Sequence, residues 1–197
     1  ITNAINWLDG LDGLASGISS IIGIGLFIML VSINKLELAI IMCCLCGAAI
    51  GFLRYNFYPA KILMGDCGSY FLGSTLAITA INGLSYKFES IKNIESHSIN
   101  ILSIQFLILL FLLPIIDMAY VIVSRIINGY SPLTPDRRHI HHRILSKGLP
   151  QRYTAIIIYS LAQLGVSISI SMWNLEGKLI YICFYIIITI LSLIYCL

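Results

Sequence analysis

"LASGISSIIGIGLFIMLVSI", residues 14–33, carries no charged side chain in twenty positions. A bilayer-crossing helix needs roughly 20 mostly apolar residues, so this stretch predicts a transmembrane helix. Five further runs read the same way, near 37–53, 69–85, 99–127, 154–173 and 179–197. None alternates apolar and polar residues with period two, which argues against the strands of a membrane barrel. Over its 197 residues the chain is 58% hydrophobic and 11% charged, with mean hydropathy +0.93. A soluble domain carries about 25% charged residues. The expected fold is therefore all-α: a polytopic membrane helical bundle of about six transmembrane helices, with residues 1–197 forming a single integral membrane domain. Cys43, Cys44, Cys46, Cys183 and Cys196 fall inside predicted spans, where they act as small hydrophobes; Cys67 falls in a loop.

Counting spans outward from residues 14–33 puts segments 1–13, 54–68 and 128–153 on one face. That face holds Arg54, Lys61, Arg125, Arg137, Arg138, Arg143, Lys147 and Arg152, eight of the twelve basic residues. On the other side, Lys35, Lys87, Lys92 and Lys178 are balanced by Glu37, Glu89, Glu95 and Glu176. The positive-inside rule makes the basic face cytoplasmic.

The three segments of this face carry the polar chemistry. "NAINWLDGLDGLASG", residues 3–17, places Asn3, Asn6, Asp9 and Asp12 at every third position. On a helix such steps turn about 60° backwards each, so the ladder sweeps half a circumference, and Gly10 and Gly13 disfavour a strict helix. A capping and turn-rich lead-in to the first span accounts for it equally well. In the second segment, "RYNFYPAKILMGDCGSYFLG", Asp66 stands between Gly65 and Gly68 near Asn56 and Lys61, with Ser69 opening the next span. A carboxylate so placed suits Mg²⁺, which takes one or two carboxylates together with substrate phosphates; a simple helix cap is the competing reading.

The third segment, "SPLTPDRRHIHHRILSKGLP", predicts a short helix over 135–147, capped by Thr134 and stopped by Gly148 and Pro150. With Arg137, Arg138, His139, His141, His142 and Arg143 around Ile140 and Ile144, it reads as a cytoplasmic helix lying at the membrane surface. Arginine forks and near-neutral histidines suit phosphate recognition, as well as contact with anionic lipid headgroups. Three of the four histidines fall within four residues, which lipid attraction does not require. Asp117, three residues after Pro114, sits inside a span, where an acid marks either a functional site or a structural pair, with Arg54 or with backbone freed near Pro114.

At these residues the chain resembles the polyprenyl-phosphate N-acetylhexosamine-1-phosphate transferases. The matching stretches are residues 3–17, "NFYPAKILMGDCGSYFLG" and "PIIDMAYVIVSRIINGYSPLTPDRRHIHHRIL", which together span 3–145. "DRRHIHHR" is similar to the branch using UDP-N-acetylglucosamine, whereas the muramoyl-pentapeptide branch carries three consecutive histidines. The resemblance implies transfer of N-acetylglucosamine 1-phosphate from the UDP-sugar to undecaprenyl phosphate, with UMP released, in the bacterial inner membrane and on its cytoplasmic face. It implies that Asn3, Asn6, Asp9, Asp12 and Asn56 line the nucleotide-sugar site and that Asp66 holds Mg²⁺, with Mn²⁺ as a substitute. His139, His141 and His142, helped by Arg137 and Arg138, would bind the sugar-phosphate side. Expected partners are thus UDP-N-acetylhexosamine, undecaprenyl phosphate and membrane lipids, with a homodimer open and no nucleic acid. The family also carries a paired-aspartate motif in an earlier half, and no adjacent Asp pair occurs here. The chain is therefore expected to be the carboxy-terminal part of a longer enzyme. A transporter, or a non-catalytic membrane scaffold, are the alternatives from other classes.

Overall fold

The computed structural model describes residues 1–89, 105–131 and 138–173. Among them every regular element is helical: α1 (Thr2–Leu8), α2 (Leu14–Ser32), α3 (Leu36–Asn56), α4 (Gly65–Glu89), α5 (Leu112–Ile127), α6 (Ile140–Leu145) and α7 (Gln151–Trp173). A further helical stretch, 105–110, leads into α5. The break falls at Phe111, three residues before Pro114, whose ring displaces the carbonyl four residues earlier and which has no N–H to give. The predicted run 179–197 lies outside the described residues.

Three helices are long and apolar enough to cross a membrane: α2, α3 and α7. The expectation of about six spans is thus met for three among the described residues. The 25-residue α4 starts at Gly65, earlier than expected, and takes Asp66 and Cys67 into its first turn. With Asp66 at its start and Lys87 and Glu89 at its end, α4 is less apolar than the other three.

α2 is the axis of the bundle, 78% buried across its apolar window against 28% for α3. It packs on α3, α4 and α7. Contacts along its length fix the directions. Tyr159 meets Gly17, Val166 meets Gly25, and Trp173 donates from Nε1 to Ser32 Oγ at 2.8 Å, so α7 runs parallel to α2. α4 also runs parallel, with Leu76 at Gly23 and Gly83 at Leu30. α3 returns antiparallel, and α5 opposes α7, Leu112 lying at Gly165 and Phe106 edge-on to Trp173. The starts of α2, α4 and α7 and the ends of α3 and α5 therefore share one end of the bundle, as the span count required of the three polar segments.

Between apolar helices in lipid, close packing rather than water exclusion drives association, and small residues permit it. Gly17 shows this directly. A Cβ there would overlap the Tyr159 ring, whose hydroxyl donates to the Gly13 carbonyl at 2.7 Å. Gly47 on α3 has nothing within 4 Å of its Cβ position. Gly17→Ala should therefore lower stability by about 1–3 kcal/mol, read as thermal unfolding in detergent, whereas Gly47→Ala should be neutral or slightly stabilising through its helix propensity.

Candidate active site

α1 packs against α4 and α5 at the polar end of the bundle. Asn6 donates from Nδ2 to Asp66 Oδ1 at 3.0 Å and to Ser69 Oγ at 2.9 Å. Asp66 lies in the first turn of α4, where unpaired backbone N–H groups favour a negative charge. Asp9, half-buried, follows α1 beside Asp66; burial and then the Asp66 charge push its pKa up from 3.8 to about 6. The Asp9 carboxyl is thus half-buried beside the exposed carboxylate of Asp66.

Asn56 and Asp12 hold the loops around these acids. Asn56 is 3% exposed. Its Oδ1 accepts from Gly13 N at 3.1 Å and from Ser16 Oγ at 3.2 Å, while its Nδ2 donates to the Ile62 carbonyl at 2.9 Å. Gly13 is at φ 78°, a left-handed conformation that glycine adopts without a Cβ clash. Asp12 Oδ2 accepts from the Ala60 N–H at 3.0 Å. Asn3 is exposed on α1.

The histidines arrive from the other direction. α5 is followed by a turn at Gly129, φ 75°, and residues 138–143 lie against that helix. Arg138 donates from Nη1 to the Ser124 carbonyl and to Ser124 Oγ, each at 2.9 Å. Its guanidinium also lies over the Tyr130 ring. Next, His139 Nδ1 meets Asp117 Oδ2 at 2.8 Å, and the Ile140 N–H donates to Asp117 Oδ1 at 2.7 Å. Arg143 covers the Tyr120 ring.

This path corrects two expectations. The helix predicted over 135–147 is helical only across Ile140–Leu145 among the described residues, because His139 is extended (φ −57°, ψ 151°) and the Asp117 carboxylate, from another helix, caps Ile140. This helix packs on α7, with His139 7% and His141 1% exposed. Thr134, Pro135 and Arg137 lie outside the described residues. Asp117 pairs with His139 and Ile140, and with neither of the partners weighed from the sequence; Arg54 is exposed.

α1 joins the two groups. Trp7, next to Asn6, stands edge-on to the His139 ring at 5.8 Å, and the buried Arg125 lies over the indole at 5.0 Å. His141 stacks parallel to His139 at 5.7 Å, with His142 4.3 Å beyond it. His141 presses on Gly10, where a Cβ would come within 2.6 Å of Nε2. Neither ring nitrogen of His141 has a hydrogen-bond partner among the described residues. Trp7 and Arg125 were not singled out from the sequence; their signal was adjacency, Trp7 to the polar ladder and Arg125 to the end of the fifth helix.

The site therefore has an acidic side, Asp9 and Asp66, and a nitrogen-rich side, His139, His141, His142 and Arg138, with α1 between. Among the described residues no three His, Cys, Asp or Glu side chains form a closed metal cage. Two carboxylates with unbalanced charge fit Mg²⁺, which completes its shell with water and substrate phosphates.

Apolar helices long enough to span a bilayer, with carboxylates and imidazoles gathered at one end, define a membrane protein with a polar cluster at one end of its bundle. The profile of glycosyl transferase family 4 matches residues 1–84. A Bacillus subtilis (strain 168) protein named "Probable undecaprenyl-phosphate N-acetylglucosaminyl 1-phosphate transferase" is 39% identical over 188 residues, 95% of this chain and 48% of the relative. The decaprenyl-phosphate N-acetylglucosaminephosphotransferase of Mycolicibacterium smegmatis is 36% identical over 81% of this chain and 41% of its own length. A phospho-N-acetylmuramoyl-pentapeptide-transferase from Moorella thermoacetica matches at 44%, over only 41% of this chain and 25% of its own length. The chain belongs to glycosyl transferase family 4. It spans about half the length of the curated relatives that it matches along most of its sequence.

Burial, and then the neighbouring His142 and His139, push the His141 pKa down from 6.5 to about 4. The unfolded chain takes up that proton at higher pH than the folded one, so the contribution of His141 to stability is complete above about pH 6.5 and is lost as pH falls towards 4. Thermal unfolding in detergent should show this loss, and His141→Phe should flatten the profile across that window.

Proposed function

We propose that this chain contributes the phosphotransfer site of an enzyme that moves N-acetylglucosamine 1-phosphate from its UDP-sugar to undecaprenyl phosphate, releasing UMP, as the initiating step of cell-envelope glycan synthesis. The observation that carries this reading is the opposition of the Asp9 and Asp66 carboxylates to the His139 and His141 imidazoles across α1. A diphosphate bound with a divalent cation needs both: acids for the metal and nitrogen donors for the phosphate oxygens. The relatives matched along most of the chain are named for N-acetylglucosamine transfer to polyprenyl phosphates.

In this reading an oxygen of the lipid phosphate attacks the phosphorus bonded to the sugar. One P–O bond forms there, the P–O bond to the uridine-bearing phosphate breaks, and UMP leaves with the electron pair. Asp66, with Asp9, would hold Mg²⁺, which supplies neutralisation of charge on the diphosphate. Asn6 aligns the Asp66 carboxylate through its amide hydrogen bond. His139, His141 and His142, with Arg137 and Arg138, donate to phosphate oxygens, and Asn3, Asn6, Asp9, Asp12 and Asn56 form the nucleotide-sugar wall directly or through the loops they tie. The same reading places the site on the cytoplasmic face of the inner membrane, within a six-span arrangement that counts α4, 105–127 and 179–197 as crossings.

The test is Mg²⁺-dependent transfer of labelled sugar phosphate from UDP-N-acetylglucosamine to undecaprenyl phosphate in membranes carrying the natural gene product. Asp66→Asn should reduce labelling by roughly 10²-fold or more, the scale for a group that stabilises transition-state charge. Labelling from a muramoyl-pentapeptide donor alone would select that branch instead, and silence with every donor would leave the scaffold or transporter.

Asp9→Asn separates site from scaffold. It relieves repulsion between two carboxylates, so it should raise thermal stability in metal-free buffer above pH 6 while lowering transfer. The sign follows from the raised pKa: the contribution of Asp9 to stability is present below about pH 4 and lost as pH rises through 6.

A further inference from the structure

We infer that Asp117 is a positioning residue that fixes which nitrogen of His139 faces the phosphate chemistry, an assignment that rests on the proposed function for its catalytic consequence. Both residues are buried, Asp117 5% and His139 7% exposed. A carboxylate offers only lone pairs, so the atom that meets Asp117 Oδ2 at 2.8 Å, His139 Nδ1, carries the hydrogen whether the ring is neutral or doubly protonated. Nε2 is then the one position of this ring where a proton or a hydrogen bond is exchanged with a ligand. In water a free histidine divides its neutral form between two tautomers; here Asp117 removes that freedom.

The second oxygen of Asp117 does a separate job. By accepting the Ile140 N–H at 2.7 Å it satisfies a backbone donor at the start of α6 and sets the direction in which that helix leaves. His139 is therefore held at two points, through its ring and through the peptide that follows it. Trp7 closes the ring edge-on and His141 closes it face-on. The charged and titratable groups facing this pair are His141, His142 beyond it, and Arg125 across the Trp7 indole. Among the described residues no second carboxylate meets His139, so Asp117 decides which ring nitrogen carries the hydrogen.

An acid inside an apolar run costs free energy unless its oxygens are bonded, and a buried salt-bridge partner could equally have been supplied by an arginine. A histidine attached to the phosphate-binding segment is a different choice. It ties an intramembrane acid to the mobile proton of a single ring nitrogen.

The experiment uses the natural gene product in membranes, with Asp117→Asn, His139→Gln and the double variant. Asp117→Asn keeps the shape and an acceptor for Ile140, yet its amide can also present a donor to Nδ1. Transfer turnover should fall about 10–100-fold with little change in the KM for UDP-sugar, and the double variant should be no worse than His139→Gln alone, because coupled residues are non-additive. Multiplying losses, or full turnover in a folded Asp117→Asn protein, would overturn the assignment. A second readout needs no turnover: nitrogen-15 spectra of histidine-labelled protein, with the His139 signal identified by its loss in His139→Gln. A hydrogen on Nδ1 that shifts towards Nε2 in Asp117→Asn supports the assignment even if no donor is transferred, in which case the proposed function falls and the pair stands. A neutral His139 protonated on Nε2 in the unsubstituted protein overturns it, also where Asp117→Asn does not accumulate.

Discussion

The two hydrogen bonds that Asn6 gives, to Asp66 and to Ser69, tie a seven-residue helix to the first turn of a 25-residue one, and the polar end of the bundle is arranged around that tie. α1 is too short to be stable by itself. Its Ile5 and Leu8 are fully buried in the core, and Gly73 of α4 lets the α1 backbone at Thr2 come close. Held in this way, α1 presents Asn6 to the acids and Trp7 to the histidines. Rotating it by one residue would lose both.

Asn56 and Tyr159 extend the same logic to the neighbouring loops. Gly13 donates its N–H to Asn56 and its carbonyl accepts from Tyr159 and Ser16, so the left-handed turn between α1 and α2 has its backbone groups satisfied by side chains from α3, α7 and α2. Buried backbone groups require such partners. The consequence is a loop rigid enough to keep Asp9 and Asp12 at fixed separation from the start of α4, although no regular element contains them.

Periodicity and hydropathy made the spans legible: 14–33, 37–53 and 154–173 correspond closely to α2, α3 and α7. The polar end was legible as a list of residues but not as a set of pairings. Asn6, Asp9, Asp66 and the histidines stand out because apolar surroundings make polar side chains conspicuous. That Asn6 faces Asp66, or that Asp117 waits for His139, depends on contacts between residues sixty and twenty-two positions apart, which local patterns do not encode. The helix predicted over 135–147 failed for the same reason. Thr134, Pro135 and Gly148 are local start and stop signals, whereas His139 is extended and the helix begins at Ile140, whose N–H is taken by a carboxylate on α5.

The two sides of the site also differ in what they need. Asp9 and Asp66 repel one another, and their environment raises the proton affinity of Asp9. His141 is held against Gly10 with its ring nitrogens unbonded among the described residues, and its environment lowers proton affinity. Each side is therefore destabilised in the sense that a ligand of the opposite character would relieve: a cation for the acids, and an acceptor for the imidazoles. A metal-bound diphosphate has both characters in one molecule, with its cation and its oxygens a few ångströms apart. Sites that keep such unmet demands in the folded state are the ones that lose stability to function, and here the apolar bundle behind α1 supplies the rigidity that lets the two demands persist side by side.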